Sequence, residues 1–93
     1  MTADDLRSLA AVPTAVLPEV RALWHDAQGD WDQAHLVVQD LETRDAAWVH
    51  AYLHRKEGDA SNARYWYGRA GQPVFRGSLD EEWAHIADAL LAR

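Results

Sequence analysis

The sequence predicts an all-α fold of antiparallel helix-turn-helix repeats, about two units, with a short N-terminal helix and a C-terminal capping helix. Three observations carry this. Residues 20–41, VRALWHDAQGDWDQAHLVVQDL, align with residues 49–70, VHAYLHRKEGDASNARYWYGRA, at a constant offset of 29. Each half of the alignment is broken once, by a Gly-Asp pair, where one helix would stop and another start. Residues 78–92 then place a Ser-x-x-Glu signature ahead of an apolar stripe of helical spacing.

Taken in order, ADDLRSLAAV reads as a short helix with Thr2 as its cap. The connector PTAVLP is bracketed by Pro13 and Pro18. Pro18 and Glu19 suit the first turn of the next helix, where proline sacrifices no hydrogen bond and an acid meets the positive end of the dipole.

Unit one, residues 16–44, and unit two, residues 45–73, share Val20/Val49, Ala22/Ala51, His25/His54, Gly29/Gly58, Asp30/Asp59 and Ala34/Ala63. Ala22 with His25, and Ala51 with His54, are small-then-large pairs at i, i+3, on one helix face. Gly29 and Gly58 can enter the left-handed conformation that ends a helix, and Asp30 and Asp59 cap the helices that follow. Trp31, Ala34, Val37, Val38 and Leu41 form one packing stripe; Ala63, Trp66, Tyr67 and Ala70 form the other. GQPVFRG (71–77) leads to the last helix, where Leu79, Trp83, Ile86, Ala87 and Leu90 share a face. Five or six helices and no strand are expected, in a single domain over residues 1–93.

These units resemble tetratricopeptide (TPR) repeats. Ala51, His54, Gly58, Ala63, Tyr67 and Ala70 stand where that pattern places its small, large and turn residues. Ala22, His25, Gly29, Ala34, Val38 and Leu41 do likewise, with Leu41 in place of the final alanine. NARYWYGRAG is also similar to the end of a Sel1-like repeat. The unit is shorter than the family's usual ~34 residues, which shortens the link between units. The chain as a whole is similar to small bacterial proteins, a likeness that supplies no activity.

The resemblance implies protein or peptide binding on a concave face lined by the first helix of each unit. The groove positions carried over are Glu19, Leu23, Asp26 and Ala27, then Trp48, Tyr52, Arg55 and Lys56. Trp48, Tyr52 and Arg55 follow i, i+4, i+7 spacing, and Trp, Tyr and Arg are the residue types that dominate binding hot spots. These three and Lys56 are the expected partner-binding residues. The variant that grips a C-terminal carboxylate needs Lys and Asn where this chain has Glu19 and Leu23. With only two units, self-association into a homodimer that completes the stack is a further alternative.

A second reading is a small-ligand or metal site at His50, His54 and Glu57, whose helical spacing can share a metal, with His25 within reach through repeat stacking. Against it, the alignment places His25 and His54 at packing positions, which favours structural histidines and no metal or other cofactor. The H-E-x-x-H order of zinc proteases is absent.

Composition narrows the rest. A net charge of −6 argues against nucleic acid, and the lack of cysteine removes disulfides, thiolate metal sites and a Cys nucleophile. No apolar run reaches the ~20 residues of a membrane span, and MTADDLRSLAAV lacks a basic signal region. The expected setting is cytoplasmic. Neither a Gly-rich phosphate loop nor GxSxG occurs, so no enzyme is expected.

Overall fold

The computed structural model describes all residues, Met1–Arg93. It is all-helical, with α1 (Ala3–Ser8), α2 (Pro18–Ala27), α3 (Trp31–Gln39), α4 (Arg44–Lys56), α5 (Ala60–Ala70) and α6 (Leu79–Leu91). No helix is long and apolar enough to cross a membrane.

Local chemistry sets the helix ends. Thr2, Asp30, Thr43, Asp59 and Ser78 each accept a backbone N–H of the turn they precede, and Ser78 with Glu81 completes a capping box. Pro18 occupies the first turn of α2. Gly29 and Gly58 adopt φ +86° and +90°. Beside them the Gly29 and Asp30 amides donate to Asp26 and His25 carbonyls, and the Gly58 and Asp59 amides to Arg55 and His54. This paired bonding satisfies carbonyls that the helix end would otherwise orphan. It reverses the chain identically at both Gly-Asp turns, so α2–α3 and α4–α5 are antiparallel hairpins.

α4 is the centre of the molecule, packed against α2, α3, α5 and α6. Its eight residues from Ala46 to Leu53 are all buried, so it has no solvent-facing stripe along that stretch. The core joins these residues to Leu6, Val20, Leu23, Val38, Tyr67, Trp83, Ile86 and Leu90. Three indoles are fixed by hydrogen bonds to backbone carbonyls: Trp24 to Leu9, Trp31 to Leu53 and Trp83 to Leu23.

The last helix does more than close one end of a stack. α6 lies against α1, α2 and α4, with Trp83, Ile86 and Leu90 buried. It covers the face that α2 and α4 share. Buried carboxylates pin the arrangement: Glu82 of α6 accepts from Arg55 and from the Tyr67 hydroxyl, and Asp26 accepts from Tyr52 and Lys56. No buried side-chain nitrogen or oxygen lacks a partner, as a well-formed interior requires.

Candidate metal centre

Three histidines converge on the opposite side of α4. His50 and His54, one turn apart, face the flank between α3 and α5. Those two helices pack on α4 without packing on each other. Trp31 of α3 donates its indole N–H to the Leu53 carbonyl at 2.8 Å, which clamps α3 onto α4. One turn along α3, the His35 ring stacks on Trp31 with centroids 4.9 Å apart and planes 8° from parallel. That stacking holds His35 with its Nε2 3.0 Å from Nε2 of His50. From the other side, Trp66 of α5 stacks on His50 at 4.0 Å.

His54 completes the group. Its Nδ1 lies 2.6 Å from Oε1 of Glu57, which leaves Nε2 free to ligate. One ring nitrogen from each of His35, His50 and His54 falls within 4.8 Å of the others. Tetrahedral ligands at ~2.0–2.1 Å from a zinc ion stand roughly 3.3 Å from one another. The His35–His50 pair is already near that spacing, and binding has to replace their direct hydrogen bond and turn the His54 ring out of its stack on His50, where the centroids are 4.7 Å apart and the planes 23° from parallel.

The electrostatics suit a cation once the rings are neutral. Burial first, then the neighbouring His35 and His54, push the His50 imidazole down to about 4. His35 is lowered too, by burial and then by His54, with Glu57 and Asp32 opposing. Neutral imidazole is the ligating form, so the site does not have to shed protons near neutral pH at His50.

A second cluster, His54 with Glu57 and Asp59, is weaker. Asp59 caps α5, and its two oxygens accept from the backbone and side-chain amides of Asn62. A metal there would have to displace a cap that stabilises the helix by about 1 kcal/mol. Glu57 fits better behind His54, as a carboxylate that orients a ligating ring.

The sequence-expected sites are redistributed. His50, His54 and Glu57 come together as the metal reading expected, but His25 does not join them. It stands at the end of the α2–α3 hairpin, one unit away, with its ring edge-on to Trp24 at 5.2 Å. His35 takes its place. Its repeat counterpart is Arg64, so the alignment gave it no prominence. The signal was available in another form: His35 and His50 lie equally far from one point in the α3–α4 connector, between Glu42 and Thr43, as do Trp31 and His54, and an antiparallel pair brings such residues face to face.

Of the four expected partner-binding residues, Trp48 and Tyr52 are buried, whereas Arg55 is partly exposed and Lys56 exposed. Trp48 and Tyr52 are 5% and 2% exposed. Trp48 packs edge-on to His85 of α6, the Tyr52 hydroxyl donates to Asp26 at 2.7 Å, and Lys56 and Arg55 pair with Asp26 and Glu82. Burial, then the hydrogen bond to Asp26 and its charge, drive the Tyr52 phenol well above its ordinary range. Glu19, Leu23 and Asp26 are likewise buried. α6 thus covers Trp48 and most of Tyr52, while Ala27 and Lys56 stay exposed and, with Asp26 and Tyr52, line a small cleft of about 160 Å³ closed by Arg7, Asp80 and Trp83.

The largest surface groove, about 680 Å³, runs between Thr14–Pro18 and the end of α6 and includes none of the histidines. No protein-family model, curated protein or solved structure matches the chain. Any functional reading rests on the geometry of its own residues.

Proposed function

We propose that this protein binds one divalent first-row transition metal through His35, His50 and His54, with Glu57 orienting His54. The observation that carries this reading is the convergence of three ring nitrogens from two helices within 4.8 Å. Imidazole nitrogens without thiolates suit zinc, nickel and copper, and zinc accepts a three-histidine set readily. The rings are held close together: Trp31 and Trp66 stack on two of them, and Glu57 holds the third.

Calorimetric titration of chelator-treated protein with zinc tests this. One saturable site per chain is expected, lost in His35→Ala. Heat indistinguishable from dilution would remove the proposal.

Protein or peptide binding, the role implied by the TPR-like resemblance, has less behind it. The large apolar residues exposed on the outer helices, Leu36 and Tyr65, stand on helices that do not pack together. Apolar residues scattered singly are ordinary on a protein surface.

A further inference from the structure

Resting on the metal-binding reading, we infer that the centre is coordinatively open and takes a small anion from solvent as its fourth ligand. The first argument is donor supply. His35, His50 and His54 form the cluster, and no fourth His, Cys, Asp or Glu belongs to it. Glu57 is the nearest carboxylate, but it sits at Nδ1 of His54. The two nitrogens of one imidazole point in divergent directions, so a carboxylate held at Nδ1 lies behind the ring from a metal at Nε2. Asp59 is committed to Asn62.

The second argument is charge. Three neutral imidazoles leave both positive charges of the ion uncompensated, and Glu57 offsets one of them only at a distance, through His54. A negatively charged fourth ligand, hydroxide from a bound water or an anion that displaces it, completes the balance. Three protein ligands with one exchangeable position is also the pattern of zinc sites that act on exogenous molecules.

The third argument is access. α3 and α5 flank α4 without packing together. His35 and His54 keep some contact with solvent, 12% for the His54 side chain, in contrast to buried His50. Trp31 and Trp66 cover the faces of His35 and His50, so solvent reaches the group only at the ring edges. Access limited to ring edges favours a small anion over a bulky one. Azide, which is linear and absorbs no appreciable visible light, is a suitable probe.

Cobalt replaces zinc with little change in geometry, and its visible bands report coordination number and ligand type. The cobalt-loaded full chain, titrated with azide, is expected to show a saturable change in those bands while the metal stays bound. His35→Ala should abolish the cobalt spectrum itself. Bands that stay unchanged at saturating azide, with cobalt still bound, would overturn the open-site inference and leave metal binding intact. Absence of any protein-bound cobalt spectrum would overturn both.

Discussion

The Nε2 atoms of His35 and His50 face each other at 3.0 Å across the α3–α4 contact. One ring must donate and the other accept, so both cannot be protonated without setting two N–H groups against each other. Burial first, and then the neighbouring His35 and His54, make His50 the ring that stays neutral, with its pKa near 4 against about 6.5 in the unfolded chain. A group depressed in this sense stabilises the fold fully above ~6.5 and loses that contribution as pH falls toward its folded value. In chelator, wild-type stability from urea denaturation should fall between about pH 7 and 5, by at most ~1.4 kcal/mol per pH unit for this one proton. His50→Gln should fall less steeply. Parallel pH profiles for the two proteins would contradict the assignment.

Trp48 is a core residue, so its truncation should act on stability. Trp48→Ala is expected to cost about 3–5 kcal/mol, a large share of what a domain of this size possesses. Tyr65→Ala, at an exposed position, should stay within about 0.5 kcal/mol of wild type. Denaturation midpoints distinguish the two, and a Trp48→Ala protein as stable as wild type would refute the placement of α6.

The same substitution should have opposite signs at two glycines. Gly58 has φ +90° and Gly68 lies within α5, and an added Cβ would meet nothing within 4 Å at either position. Gly58→Ala thus isolates the cost of a left-handed backbone, about 1–2 kcal/mol. Gly68→Ala should instead stabilise by roughly 0.5–1 kcal/mol, through helix propensity. Matching thermal shifts of the same sign would contradict the turn geometry.

Glu57 should act on the metal through His54. Glu57→Gln keeps the shape and removes the charge, and metal affinity should fall by about 10–100-fold with stoichiometry unchanged. Competition against a chromophoric chelator measures this. An unaltered affinity would separate Glu57 from the centre.

The legible part of the fold was its local chemistry. Gly29–Asp30, Gly58–Asp59 and Ser78–Glu81 each settle a helix end within a few residues, and the structure uses all three pairs as caps or turns. What α6 covers is a tertiary fact. Trp48, Tyr52, Arg55 and Lys56 have the same spacing whether they face solvent or Asp26 and Glu82. Buried Asp26 and Glu82 gave no warning either, since acids on a helix are ordinarily solvated. The histidines fell between these cases. The i, i+4 pair on α4 was visible, whereas its third member depended on the α3–α4 register, which a repeat alignment does not report.

The most direct measurement is a thermal melt of the tag-free protein in chelator and then with zinc, nickel or copper added back, for wild type, His35→Ala and His25→Ala. A metal at a hundredfold its dissociation constant adds ~2.7 kcal/mol, which in a domain this small raises Tm by about 10–20 °C. The expected result is a saturable rise in wild type and in His25→Ala, and none in His35→Ala. No rise with any of the three metals, or one that depends on His25 and survives the loss of His35, would contradict the three-histidine centre.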